Sequence, residues 1–560
     1  MKNQAKVLAV ALVATVAGAV ASHAASPPPQ QSNSVDKVVN EIIAREREFV
    51  KAAAQFTPRV ETYIQEDKVD KKNRSKVIND YYFLGRMRMG QTVDEESMLP
   101  GPGFGGKLIG MATLKPMRGL IGLHFRPGVF GYPVSVDSVY FDRAHYQFEF
   151  VRREFLGSVR CLVFDLKPIS KAKEGLFIGR IWVEDQGYHI VRFNGTYGSG
   201  AKFRVHFDSW RQNLQPGLWL PVYIYSAESR LTSYGAWQRG YRAQTRFWGY
   251  MLKPSNSNQE LTQVLVDAPK TVEDEASDPR DYSPLASKRM WMKEAEKNVL
   301  DRLQKGGLIA PPGPVDKVLE TVTNNLIVTN HLDNLPPVHC RVLLTYPLES
   351  LTVGDTILVS RGLIDVLPNE ASLAMILAHE LSHIVLGHSL DAQYAFNDRM
   401  VISDEELLKR LDLKRTPAEE RAADDEALKL LRASPYKDQL GQAGLFLKAL
   451  TDAAGDRPRL LGAQLGNRLM DRHHELRMAE LMQGAPNLEP KDLQQVAALP
   501  LGSRIVLDPW DDEVRLEKTE KVTFISERDK MPFQVTPLFP YLTRYQPAGS
   551  SEEQQARAQK

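Results

Sequence analysis

Residues 377–388 read LAHELSHIVLGH, and this stretch decides the fold of the second half of the chain. Two histidines, His379 and His383, stand four apart, with Glu380 directly after the first. Pro368 and Asn369 precede them, and apolar residues recur at helical spacing from Glu370 until Gly387. Asn369 is placed to cap that helix. At 100° per residue the two histidines lie only about 40° apart on the helix surface, so both imidazoles can point at one ion. Glu380 sits on the flank of the same face. Neutral imidazole suits zinc, and zinc lowers the pKa of its water toward about 7. A carboxylate at the position of Glu380 can take the proton and pass it to a leaving amine. The competing reading is a core helix with two satisfied histidines, so the surroundings have to decide.

A catalytic zinc site needs a third protein ligand. Residues 415–431, RTPAEERAADDEALKLL, form a well-signposted helix. Thr416 caps it, Pro417 opens the first turn and Glu419 completes a capping box. Glu420 and Asp424 then share one face as an i, i+4 pair. Glu420 can bind the ion, and Asp424 can hold a ligand histidine by its second nitrogen. The alternative is a solvated acidic face. His388 is about 140° from His383 on an ideal helix and is not expected as a ligand. Gly387 can end the helix and let it swing back, but a surface histidine is the expected reading. His331 and His339 suggest no site.

The 560 residues allow two or three domains, and the net charge of +2 carries no sign of a nucleic-acid partner. MKNQAK followed by VLAVALVATVAGAVA and SHAAS reads as a signal peptide over 1–25, cut near Ala24 or Ala25. Its apolar run is about 15 residues, short for a span that needs about 20. The mature chain is therefore expected to be exported, most simply into a periplasm, with no membrane span. Only Cys161 and Cys340 are present. They fall in different expected domains, read as two buried thiols, and cannot make a zinc site. A flexible spacer is expected over 26–34 and an antiparallel β-rich domain over 35–255, entered by a helix from Val35. In KFRVHFDSW, Phe203, Val205 and Phe207 alternate with polar residues, the pattern of a sheet with one packed face. A second pair of strands is expected around the DQG turn at 185–187. A polar linker follows over 256–282, then an α+β domain over 283–495 with strands in CRVLLTY and DTILVSRGLIDVL. A C-terminal β extension is expected over 496–548, with strands in GSRIVLDP and EKVTFISE, and a disordered tail over 549–560.

TILVSRGLIDVL, SLAMILAHELSHIVLGH and EERAADDEALKLL together resemble the zinc metallopeptidases of the HtpX and CAAX-prenyl-protease type. The resemblance covers about 283–490. It implies a mainly helical gluzincin domain with a small sheet, one Zn²⁺ per chain and endopeptidase activity. It implies His379, His383 and Glu420 as ligands and Glu380 as catalytic base, with Asp424 behind a ligand. Membrane helices typical of many members are missing, so the chain is more similar to soluble periplasmic members that act in envelope protein quality control. ESLTVGDT stands where the family often has Asn-Ala-Phe, and DRHHELR where it has His-Pro and a later arginine. His473 or His474, with Arg477, is the resulting oxyanion candidate, His474 being the preferred one. Polypeptide substrates are expected to bind extended, adding a strand to the edge of TILVS. The series from CLVFDLKPIS to LWLPVYIYSAES resembles the outer-membrane lipoprotein-sorting fold, an open half-barrel, which implies lipid or lipoprotein as a partner of the N-terminal domain. The rival function is a periplasmic lipid- or lipoprotein-binding chaperone with a mainly structural zinc.

Overall fold

The computed structural model describes residues 30–69, 75–89, 94–97, 130–131, 133–169, 176–197, 205–228, 232–234, 237–250, 284–390, 410, 413–469, 476–489, 505–508, 513–516, 533, 535, 537–538 and 540–545. The expected signal peptide, the 256–282 linker, the strand EKVTFISE, the 549–560 tail and both His473 and His474 lie outside the described residues. The fold is α+β, with its β-rich part N-terminal. Among the described residues no helix is long and apolar enough to cross a membrane.

Helix α1 (Gln30–Ala53) begins inside the stretch expected as a spacer. Eleven strands then build one antiparallel sheet. They are β1 (Arg59–Val69), β2 (Ser75–Arg88), β3 (Asp94–Ser97), β4 (Tyr146–Leu156), β5 (Val159–Pro168), β6 (Phe177–Glu184), β7 (Ile190–Tyr197), β8 (Val205–Gln215), β9 (Leu218–Glu228), β10 (Thr232–Tyr234) and β11 (Trp237–Trp248). The order is β3-β2-β1-β11-β9-β8-β7-β6-β5-β4, with β10 paired to β11. Short turns dictate this meander. Gly157 and Gly217 supply the positive φ that tight hairpins need, and DQG lies between β6 and β7 as expected.

The sheet is not packed on one face alone. α1 lays Val39, Ile42 and Phe49 against Phe193, Phe207 and Ile224 on one side. There Arg211 grips Glu46 with two hydrogen bonds of 2.7 Å, both groups 1% exposed. On the other side Trp182, Trp210 and Trp219 pack with Leu542 from the C-terminal segment. The polar alternation in β8 misleads for this reason. His206, Asp208 and Trp210 are buried, because Asn194 and Arg192 supply partners for His206 and Asp208. Val205 is 39% exposed. Cys161 and Cys340 are separate buried thiols.

The second part follows α2 (Pro284–Lys305), which ends at Gly306–Gly307, and α3 (Pro314–Thr329). Its small sheet has the order β12 (His339–Leu343), β14 (Thr356–Ser360), β13 (Glu349–Val353), β15 (Asn467–Arg468). Two expectations change here. DTILVSRGLIDVL is not one strand. Ser360 accepts a hydrogen bond from Leu363 N and caps the short helix α4 (Arg361–Val366). TILVS is not an edge either, since β14 pairs with β12 in parallel and with β13 antiparallel. On its other side β13 is paired, among the described residues, only at Glu349 and Ser350, by β15. Helices α5 (Glu370–Val385), α6 (Pro417–Arg432) and α7 (Leu440–Ala454) complete the core.

The two parts are joined by buried polar contacts. Glu61 on β1 accepts from Tyr346 N at 2.6 Å and from Tyr82 Oη at 2.8 Å. Asp80 on β2 accepts from the backbone N–H groups of Arg459 and Leu460. Tyr63 and Tyr346 pack ring to ring at 5.0 Å. The C-terminal segment works as a strap. Phe533 and Val535 lie in the second core, Leu542 lies against the tryptophans, and Arg544 donates to Glu184 at 2.7 Å.

Candidate metal centre

Asn369 caps α5 by accepting from Ser372 N at 2.9 Å. The helix is buried along most of its length, which forces its polar residues to find partners. His379 is 1% exposed, and Glu380 and His383 are 0%. The two Nε2 atoms stand 3.2 Å apart. On α6, Thr416 and Glu419 form the expected capping box, with Glu419 accepting from Thr416 N at 2.9 Å. This register turns Glu420 inward. Its oxygens lie 3.5 Å from His379 Nε2 and 3.6 Å from His383 Nε2. Asp424, one turn on, meets His379 Nδ1 at 2.8 Å.

These residues fit a zinc ion. Nitrogens bound at about 2.0–2.1 Å to a tetrahedral ion stand roughly 3.3 Å apart, close to the separations found. Both Glu420 oxygens are buried without a hydrogen-bond partner. Arg477 approaches one of them as an ion pair, with its Nη2 at 2.7 Å. Buried carboxylate oxygens left in that state suit a cation. Burial, then the neighbouring His379, pushes the His383 pKa far down and keeps its lone pair free. Burial opposes the Glu420 charge, but Arg477 and His379 outweigh it and lower its pKa. Burial and Arg477 would lower the His379 pKa, yet Asp424 and Glu420 raise it.

Glu380 is held from the strand side. Ser350 Oγ donates to its Oε1 at 2.6 Å, and Thr352 Oγ1 donates to its Oε2 at 2.7 Å. Residues two apart on a strand face the same way, so β13 offers both hydroxyls as a fork. Arg415, just before the α6 cap, donates to Thr352 O at 2.9 Å. Arg477 Nη1 is 3.7 Å from Glu380 Oε1. The structure thus brings His379, His383, Glu420, Glu380, Asp424 and Arg477 together, while His474 lies outside the described residues. Sequence reasoning did not single out Ser350, Thr352 or Arg415. The one signal was the alternation of hydroxyls in ESLTV, which means nothing until β13 is placed beside α5.

Residues 350–403 match the family model described as Peptidase family M48. The match runs from the fork strand through His379, Glu380 and His383, and stops short of Glu420. The comparison with curated proteins found no match. Among solved structures, a LolA superfamily protein from Nitrosomonas europaea is 13% identical, with 39% of this chain and 96% of that one covered and a TM-score of 0.20. A DUF1329 family protein from Desulfovibrio piger is also 13% identical, with 40% and 95% covered and a TM-score of 0.22. The stretch that carries the two histidines and the glutamate is therefore similar to metallopeptidases of family M48.

Proposed function

We propose that this chain is an exported zinc-dependent endopeptidase that hydrolyses peptide bonds in extended polypeptides, misfolded or unassembled envelope proteins above all. The observation that carries the reading is the convergence of His379, His383 and Glu420 within 4.8 Å of one another, with Glu380 fixed beside them. The three would hold one zinc, and Asp424 would orient His379. Zinc at this position supplies a Lewis acid that makes water a nucleophile near neutral pH. Glu380 takes the proton of the attacking water and returns it to the leaving amine. Arg477 puts a fixed cation beside both carboxylates, placed to oppose charge developing on the scissile carbonyl, with His474 as its proposed companion. The substrate would lie antiparallel to β13 past Ser350, where among the described residues no strand pairs its second side.

The rival is a lipid- or lipoprotein-binding chaperone with a mainly structural zinc. A cavity of about 330 Å³ between Phe56, Leu218, Leu220, Phe247 and Tyr250 is the feature on its side. Against it, a purely structural site has no need of a base, and α1 packs its apolar residues against the sheet. The deciding experiment measures metal content of the purified mature chain beside casein cleavage and acyl-chain binding. One zinc per chain, with cleavage lost on chelation and restored by zinc, supports the peptidase. Acyl-chain binding without cleavage by zinc-loaded protein would reject it.

A further inference from the structure

On a continuing helix His388 would stand about 140° from His383. The end of α5 instead swings it back beside His383, where it is half-buried. Leu386 N still donates to Ser382 O, but Gly387 takes φ +68° and the helix stops. No atom lies within 4 Å of where a Gly387 Cβ would stand, so backbone conformation and not crowding calls for glycine. His388 N then donates back to His383 O at 2.9 Å. This doubling-back removes the 140° offset of a continuing helix. The two imidazoles lie with centroids 5.1 Å apart, and their Nδ1 atoms meet at 2.9 Å.

The proton count across that contact has one solution if His383 binds metal. Its Nε2 is the nitrogen that faces His379 and Glu420. A neutral imidazole has one proton, and with Nε2 used as a lone-pair donor that proton is on Nδ1. His388 Nδ1 must then accept, so His388 carries its own proton on Nε2. We propose that His388 is a positioning residue that fixes the tautomer and ring orientation of His383, as Asp424 does for His379. The two ligand histidines would thus be oriented differently, one by a carboxylate and one by a neutral ring. This inference rests on the zinc reading of the site.

The test is zinc affinity of the full mature chain, measured by competition with a chromophoric chelator, which needs no substrate. Loss of such a partner typically costs 10- to 100-fold in metal affinity. His388→Ala should weaken zinc binding by about that factor. His388→Asn, whose side-chain oxygen can stand near the place of Nδ1, should restore most of it. In the zinc-loaded wild type, nitrogen-15 spectra should show the proton of His388 on Nε2, leaving its Nδ1 to accept from His383. Wild-type affinity in His388→Ala, an equal loss in His388→Asn, or a proton on His388 Nδ1 would each overturn the proposal. If the wild type itself takes up no zinc, the peptidase reading fails and this inference falls with it.

Discussion

Thr352→Val tests whether β13 holds Glu380, the proposed base. Thr352 is 1% exposed, and its hydroxyl lies 2.7 Å from Glu380 Oε2 and 3.0 Å from Glu380 O. Valine keeps the branched shape and removes only that donor. A hydrogen bond to a charged group contributes about 1.5–3 kcal/mol. Since 1.4 kcal/mol is a factor of ten, misorientation of the base should lower kcat by about 10- to 100-fold. Complete loss is not expected, because Ser350 still holds Oε1 at 2.6 Å. KM should change little, since the β13 backbone keeps its groups, and zinc content should stay at wild type because Thr352 touches no ligand. Thr352→Ser should recover most of the rate. Ser350→Ala should resemble Thr352→Val, and the double variant should depart from additivity because both hydroxyls serve one carboxylate. The assay is steady-state cleavage of a fluorogenic peptide with metal content matched between variants. A Thr352→Val enzyme with wild-type kcat would refute the fork, and so would a kcat lost only in proportion to lost zinc.

Glu380→Gln should retain zinc while cleavage falls by about 10²- to 10⁴-fold; wild-type cleavage would remove Glu380 from the role of base. Glu419→Gln should cost less than about 1 kcal/mol, because glutamine also serves a capping box, whereas Glu420→Gln should lose zinc on dialysis against a weak chelator and leave Arg477 without its 2.7 Å partner. Asp424→Ala should fall between them, about 10- to 100-fold weaker in zinc affinity, and metal retained by Glu420→Gln but lost by Glu419→Gln would refute the helix register. The strap should respond to acid. Burial would raise the Glu184 carboxyl, but His189, Arg544 and the N–H groups of Gln186 and His189 outweigh it and hold it at about 2. A carboxyl depressed in the fold contributes stability above its unfolded value of 4.5 and loses it as pH falls toward about 2. The protection of the Ser158 N–H, which donates to Leu542 O at 2.9 Å, should therefore fall across that window when each rate is divided by the intrinsic exchange rate at the same pH. Arg544→Ala should lower that protection at neutral pH, and unchanged protection in both cases would show that Glu184 does not anchor the strap.

What the sequence determined by itself was local. The caps at Asn369 and Thr416, the four-residue spacing of His379 and His383, and the inward turn of Glu420 in place of Glu419 all follow from a helix pitch acting between near neighbours. Tertiary structure decided the relations between segments far apart in the chain. Ser350 and Thr352 meet Glu380 only because β13 packs against α5 across sequence separations of 30 and 28. TILVS lies inside its sheet because β12 and β13 close on both its sides. The polar residues of β8 are buried because their partners come from β7, and their cover includes the C-terminal strap. Hydrophobic periodicity encodes which face of a strand tends to be buried, but strand order and what covers the second face come from contacts that the period of a single segment does not carry.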